Sequence, residues 1–575
     1  MISLYDDKEA KRYKTDLDLR VYTSRLLGQE SSLVLHGGGN TSVKSTATNL
    51  FLDEENILYV KGSGWDLATI KAQGFAPVKM EMLLKMAELK ELKDTDMVKY
   101  QRLAMTNPSA PNPSVEAILH AIIPFKFVDH THADAIVSIT NTQGGEEKIK
   151  ELYGDKVFIV PYIMPGFALA KLIYDMTRDL NFSELEGMVL MNHGLFTFSD
   201  DAKKSYEKTI ELVDKAEKYL QNNASLEDAK NDKSTLELLE LANIRAEVSK
   251  LKKYATISIL NDSNEAINFS KQDIEKISQQ GPLTPDHVIR TKRVPIILKD
   301  DVKMELNSFV EEYKRYFEKN KKDETLLNPA PNFAILKNNG SLSFGKNTKE
   351  ANIIKDINEH TFEAILKAEK LGGYRALSAA EIFEVEYWSL EQAKLKKSGT
   401  SLEFEGRVAV ITGGASDMGR SIAQMLNEKG AAVVVLDVDA KVETIFNRAD
   451  AKGVRCDMTS SSDIKNAIEL AVKSFGGIDM LVSCENSSSH KLLMKQISPF
   501  LKLGIDVGVV IVSVKNDDTE KEKLRRYYVG KDYAIDDNQH ISSSLVKIET
   551  ISTNVAELVS VMLGNAFFKT RGVST

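Results

Sequence analysis

Cysteine, long apolar runs and surplus positive charge are all scarce in this 575-residue chain, and each scarcity removes a class of protein. Two cysteines, Cys456 and Cys484, cannot build a disulfide framework, which points to a reducing compartment. No uninterrupted apolar run reaches the roughly 18 residues that a membrane helix needs. The N-terminus, MISLYDDKEAKRYKTD, has no apolar segment of the kind that directs secretion. A cytoplasmic protein without a membrane segment is therefore expected. With 75 Lys and Arg against 83 Asp and Glu, the net charge of −8 supplies no basic field for nucleic acid. A small anionic substrate would have to be bound locally. The length exceeds the roughly 250–300 residues at which single cores stop growing, so several domains are expected.

The most informative stretch is residues 112–140, NPSVEAILHAIIPFKFVDHTHADAIVSIT. A lone carboxylate, Glu116, heads an apolar helical run, and a β-rich segment ends in His130-Thr131-His132. In a strand, side chains two apart share a face, so these two imidazoles can reach one metal ion. Two histidines on a strand also suit an ordinary core or surface. His193, in the loop-like Met191-Asn192-His193-Gly194 after an apolar run, shifts the balance. Three histidines with an open position suit a catalytic zinc, whereas structural zinc prefers four closed ligands rich in cysteine.

PSVEAILH, DHTHADAIVSIT, LMNHGLFTF and the upstream HGGGNTSVK resemble the class II aldolase/adducin family. The whole chain is similar to bacterial proteins in which a rhamnulose-1-phosphate-type aldolase is fused to a short-chain dehydrogenase. That resemblance implies an α/β fold in three stretches. Residues 1–250 would be an αβα domain around a central, mainly antiparallel sheet, and 251–400 a middle α/β segment with a linker. Residues 401–575 would be a Rossmann-like doubly wound domain, degenerate or truncated.

The resemblance also assigns roles. His130, His132 and His193 would hold zinc or another divalent metal, and Glu116 would be the acid/base. Asn40, Thr41, Ser63, Gly64 and Ser114 match the family's substrate-phosphate positions, while Val115 stands where a second Ser is usual. Taken alone, Gly37-Gly38-Gly39 is equally well read as hairpin chemistry, and Lys44 and Lys61 as strand lysines. Asp134 is either an orienting partner for a ligand imidazole or a solvent-facing acid. In the middle segment, Arg290, Lys292 and Arg293 beside His287, with Trp388, read either as help in holding a phosphorylated ligand or an interdomain contact, or, the favoured reading, as an ordinary basic loop and a buried anchor. Helices are expected over about 6–30, from Asp200 to about Asn222 after a cap at Ser199 or Asp200, and over 223–245.

Near the C-terminus, Val408-Ala409-Val410-Ile411-Thr412-Gly413-Gly414-Ala415-Ser416-Asp417-Met418-Gly419 leads into a helix and then into Ala432–Asp437. This is a βαβ unit whose glycine-rich turn would seat a pyrophosphate on the helix N-terminus. Gly413, Ser416 and Gly419 belong to that turn. Asp437 would bond a ribose and repel a 2′-phosphate, favouring NAD over NADP. The unit resembles short-chain dehydrogenases, in which Asp457 would contact adenine. The pattern is damaged, however. Asp417 replaces the middle glycine, and the family's N-N-A-G reads Ser483-Cys484-Glu485-Asn486. Ser513, Tyr527 and Lys531 could form the family's catalytic set if the last two lay one turn apart on a helix.

Three readings stay open from the sequence. The first is a metal aldolase cleaving a ketose 1-phosphate to dihydroxyacetone phosphate and an aldehyde, with a degenerate dehydrogenase domain. The second is a bifunctional enzyme that also oxidises the aldehyde with NAD, and the third an adducin-like scaffold without chemistry. The partners expected are a sugar phosphate and further copies of the chain. The family builds its active sites between subunits, where a neighbour's tyrosine can donate the proton to the leaving aldehyde.

Overall fold

The strand that leads to the paired histidines is buried along its whole length, and that decides the layering around it. The computed structural model describes residues 1–227, 233–396, 401–484, 490–505, 508–511, 513–515, 526–535 and 541–548. Its contacts divide the chain into two units, one of Met1–Asp228, Glu275–Val294 and Ile357–Ser398, the other of Ala229–Ile274, Pro295–Asp356 and Gly399–Thr575. The stretch read from sequence as a separate middle segment is thus shared between them.

In the first unit the strands are β1 Asn40–Thr48, β2 Glu54–Lys61, β3 Phe75–Lys79, β4 Phe127–Thr131, β5 Val157–Val160, β6 Gly187–Leu190 and β7 Gly194–Ser199. They pair in the order β3-β2-β1-β4-β7-β6-β5. Neighbours run antiparallel except β5 with β6. Because β4 and β6 are buried throughout, both sheet faces must be covered. Alternation supplies two apolar faces. Val189 and Leu195 pack with Tyr22, Ile136 and Tyr206 from the helices Asp16–Gly28, Asp134–Thr140 and Ala202–Asn223. Met188, Phe196 and Phe198 pack with Leu119, Leu169 and Ile173 from the helices Ala117–Ile122 and Phe167–Met176. Each such side chain contributes about 1.5–3 kcal/mol by leaving water.

Local signals shift some expected boundaries. The first helical run is split into Asp7–Ala10 and Asp16–Gly28, because Thr15 caps the second piece by accepting from Asp18 N. The long helix begins at Ala202, with Asp201 as its cap. The helix expected over 223–245 is Leu238–Lys252 instead.

The second unit holds a mixed sheet of β8 Ile257–Asn261, β9 Ile296–Leu298, β10 Phe333–Leu336 and β11 Gly340–Gly345, in the order β8-β11-β10-β9. It also holds β12 Val408–Thr412, β13 Ala432–Asp437, β14 Asn447–Arg448, β15 Ala451–Arg455, β16 Met480–Ser483 and β17 Gly508–Ile511. These run in the order β14-β15-β13-β12-β16-β17, parallel except for the β14 edge. The winding reverses between β12 and β16, the switch point of a Rossmann-type sheet. Arg245 explains why the helix Leu238–Lys252 belongs here. Its guanidinium meets both oxygens of buried Asp479, at 3.0 and 2.6 Å, and donates to the carbonyls of Thr256 and Gly406. A third sheet has the order β18-β19-β20, formed by β18 Ser513–Lys515, β19 Arg526–Ile535 and β20 Ile541–Ile548. Among the described residues no helix is long and apolar enough to cross a membrane.

Candidate metal centre

Strand register builds the site. Asn40 on β1 lies opposite His130 on β4, and His130 lies opposite Phe196 on β7. The His130 ring stacks on Phe196 with centroids 4.1 Å apart, and its Nδ1 faces the carbonyl of Leu195 at 3.1 Å. That contact makes Nδ1 the protonated nitrogen and leaves the Nε2 lone pair free. Just past the strand, His132 turns its Nε2 to within 3.2 Å of His130 Nε2. His193 sits in the tight β6–β7 connection after Asn192, which takes a left-handed φ of 56°. Gly194 follows because β7 comes so close to β4 that a Cβ there would lie 2.3 Å from the carbonyl oxygen of Thr131.

The three imidazoles form a nearly equilateral triangle, with ring centroids 4.9, 5.0 and 5.0 Å apart. One ligand nitrogen from each lies within 4.8 Å of the others. Burial drives the pKa of His130 well below the ordinary imidazole value and that of His132 down to about 3. Neutral, convergent imidazole nitrogens are the donor set a divalent cation requires, so the residues fit a metal.

Glu116 spans the triangle's edge. Its Oε2 lies 3.6 Å from His130 Nε2 and its Oε1 3.6 Å from His193 Nε2. Asn40 Nδ2 donates to Oε2 at 2.5 Å, while Oε1 is buried without a hydrogen-bond partner. The Asn40 amide is held in turn by His120, a residue that sequence reasoning passed over. Since a carboxylate only accepts, Asn40 must present its nitrogen to Glu116 and its oxygen to His120 Nε2. His120 Nδ1 then accepts from Ser42 Oγ at 2.8 Å. Burial lowers His120 to about 3, keeping it neutral. The available signal was the spacing of Glu116 and His120, four apart at the start of a helix and so on one face.

The phosphate candidates separate. Asn40 is committed to Glu116 and His120 rather than presenting a free amide. Thr41 points to the opposite face of the sheet, where its hydroxyl bonds Ser24 Oγ at 2.8 Å, because side chains alternate along β1. Ser63, Gly64 and Ser114 stand on two loops zipped together by Ser63 N to Asn112 O (2.8 Å) and Ser114 N to Lys61 O (3.0 Å). Val115 packs into the apolar core instead of offering a hydroxyl. Lys44 is half-buried; its ammonium donates to the carbonyls of Ile123 and Phe125, and desolvation lowers it to about 7. Asp134 is bonded to His360 Nδ1 and so does not hold a ligand imidazole. Lys292 in the basic loop is buried 3.8 Å from Glu386, and Trp388 is buried as expected.

In the second unit, Ser416 caps the helix Asp417–Glu428, accepting from Gly419 N and donating to Gly413 O. Asp437 accepts from Ala415 N at 2.8 Å and from Asp439 N at 3.0 Å. Asp417 projects outward, 96% exposed, and pairs with Arg420. Asp457 is exposed and bonded by Thr459. Tyr527 and Lys531 lie on β19, opposite Ile548 and Ser544, and Ser513 lies opposite Tyr528. The helical turn expected for the Tyr-Lys pair is therefore replaced by a strand, which sets residues four apart at about 13 Å. Glu485 and Asn486 lie outside the described residues.

Residues 19–220 match the family Class II Aldolase and Adducin N-terminal domain, and residues 236–395 match Aldolase class II, second domain. Residues 407–497 match short chain dehydrogenase. A Bacillus subtilis (strain 168) protein described as the uncharacterized oxidoreductase YuxG is 30% identical over 512 residues, which cover 84% of this chain and 74% of the relative. Short chain aldehyde dehydrogenase 1 of Euphorbia lathyris is 38% identical over 89 residues, only 31% of its own length and 15% of this chain. A solved N-terminal class II aldolase domain of a conserved protein from Thermoplasma acidophilum is 41% identical, covering 38% of this chain and 97% of that one at a TM-score of 0.34.

Proposed function

The chain belongs to the class II aldolase and adducin family, in the form fused to a short-chain dehydrogenase region, and on that premise we propose that it is a metal-dependent carbon–carbon lyase. Its substrate is a ketose 1-phosphate of the rhamnulose 1-phosphate kind, and its products are dihydroxyacetone phosphate and an aldehyde. The observation that carries this reading is the convergence of three buried imidazoles on one point beside a carboxylate with one unpaired oxygen.

His130, His132 and His193 would hold the ion, zinc or another divalent cation, which when bound polarises the substrate carbonyl as a Lewis acid. The remaining work belongs to the chain. Glu116 Oε1 exchanges the proton at the carbon that parts from the aldehyde, because Oε2 is fixed by Asn40. Ser42 and His120 keep the Asn40 amide from turning over. Phe196 and the buried strand ends exclude bulk water, which strengthens electrostatic contacts inside the site. Ser63, Gly64 and Ser114 are our candidates for the phosphate. The active form is a homo-oligomer, with the proton donor to the aldehyde oxygen supplied by a neighbouring copy.

The dehydrogenase region does not oxidise the aldehyde in this reading, since Tyr527 and Lys531 are not spaced for joint proton transfer. NAD-dependent oxidation is the second reading. It is favoured by the preserved glycine-rich turn, from which Asp417 points away.

The test is a coupled assay for dihydroxyacetone phosphate with ketose 1-phosphates, alongside elemental analysis of the purified chain. Cleavage should stop on chelation and return with zinc. Cleavage that survives complete chelation, or its absence in metal-loaded protein with every ketose 1-phosphate tried, overturns the proposal.

A further inference from the structure

His132 differs from His130 in what stands behind it. His130 has a carbonyl at its Nδ1, whereas His132 Nδ1 is buried without a hydrogen-bond partner. An imidazole whose far nitrogen is unheld can take either tautomer and can rotate. Only one tautomer leaves Nε2 able to bind an ion.

Facing His132 Nδ1 at 3.6 Å is Oδ1 of Asp286. The two are too far apart to be bonded as they stand, but a modest side-chain rotation brings them within range. Asp286 lies outside the residues that match the N-terminal aldolase family and within those that match the second domain. It sits in the short 3-10 turn Pro285–His287, and the segment leading to it is tied down. Asn141 Nδ2 donates to the carbonyl of Leu283 at 2.7 Å, and Tyr374 Oη donates to that of Gly281 at 3.1 Å. The Asn141 side-chain oxygen accepts from Asn192 Nδ2 at 2.9 Å, next to His193. One amide therefore fixes both the turn that bears the third ligand and the segment that bears Asp286. The acid nearer in sequence, Asp134, is engaged by His360.

We infer that Asp286 is a positioning residue of the metal centre. Its carboxylate receives the Nδ1–H of His132 and holds that ring with Nε2 toward the ion. The inference rests on the three-histidine metal reading, and it makes the second aldolase segment a functional part of the first segment's site.

The experiment is a zinc titration of the full-length chain against a chromophoric chelator, with unfolding of the metal-free proteins followed in parallel. D286A should bind zinc about 10- to 100-fold more weakly than wild type, the usual loss for an outer-shell partner. D286N, which keeps an acceptor oxygen, should fall between the two. In an H132A background, D286A should cause no further loss, because its effect runs through that ring. Unchanged zinc affinity in D286A, or an equal loss with and without His132, overturns the inference and leaves the metal reading standing. A wild-type chain that binds no divalent cation overturns both.

Discussion

The aldolase-type and dehydrogenase-type sites differ in where their polar atoms point. Around the three histidines, Glu116 Oε1 is buried without a hydrogen-bond partner, and the ligand nitrogens face one another across a common point. In the glycine-rich turn the groups serve the turn itself. Ser416 bonds Gly413 and Gly419, Asp437 bonds Ala415 and Asp439, and Asp417 bonds Arg420. An unsatisfied buried polar group costs about 1–3 kcal/mol, so a fold keeps such groups convergent where a ligand completes them. The first arrangement is organised for something outside the chain, and the second is closed on itself.

The largest expected effect comes from removing a ligand. H130A should lose stoichiometric zinc and at least about a thousandfold in cleavage rate, because charge on the reacting oxygen then has no Lewis acid. Elemental analysis and the coupled assay read the two effects separately. Retained zinc with full activity would mean that the triangle is a packing cluster, and the contrast between the two sites would disappear. Next comes E116Q, expected to lower the rate by about 10²–10⁴ while zinc stays bound. Loss of metal in E116Q would instead make Glu116 a ligand.

A smaller effect tests the other side of the contrast. NAD should bind the wild-type chain with a dissociation constant no tighter than about 1 mM by calorimetry, near the 4 kcal/mol that marks weak association. D417G, which restores a glycine to the turn, should tighten it by about tenfold. Micromolar NAD binding by the wild-type chain would show that a turn closed on itself still opens for a dinucleotide, and the bifunctional reading would replace ours.

How much of this could be read from sequence follows the same division. His130-Thr131-His132 was legible because a strand has period two, and His193 because an apolar run ends beside it. The separation of Thr41 from Asn40 obeys the same period, yet the resemblance grouped them because it carries residue identity and not facing. His120 was hidden as a residue inside an apolar helix, and its role depends on Ser42 and Asn40 from a distant strand. Asp286 was less visible still, since 154 positions separate it from His132 and ties such as Asn141–Leu283 and Tyr374–Gly281 hold its segment near. Tyr527 and Lys531 fit a spacing that suits a helix, but β19 pairs with β20 over eight residue pairs and extended pairing prevailed there. What the sequence did not show is that the contacts divide the chain differently, since Arg245 and Asp479, far apart in sequence, share one buried cluster.

The finest effect concerns His120 and a single proton. In the unfolded chain this imidazole takes up a proton near pH 6.5, whereas burial in the fold lowers that point to about 3, partly opposed by the Glu116 charge. Between those values the unfolded state holds one more proton than the folded state. Its contribution is therefore fully present above about pH 6.5 and is lost as pH falls, by about 1.4 kcal/mol per unit at most. Histidine-selective ¹⁵N spectra of the metal-free protein should show one ring, identified by its absence in H120N, that stays neutral with Nε2 protonated from pH 8 to pH 4. That fixed tautomer is what gives the chain of bonds from Ser42 through His120 and Asn40 to Glu116 a single direction. A midpoint near 6.5 would mean that Nδ1 also becomes a donor and that the Ser42 end of the chain reverses within the working pH range. A neutral ring protonated on Nδ1 instead would offer Asn40 no donor, so that Glu116 Oε2 would not be held and the choice of Oε1 as the atom that moves the proton would lose its physical reason.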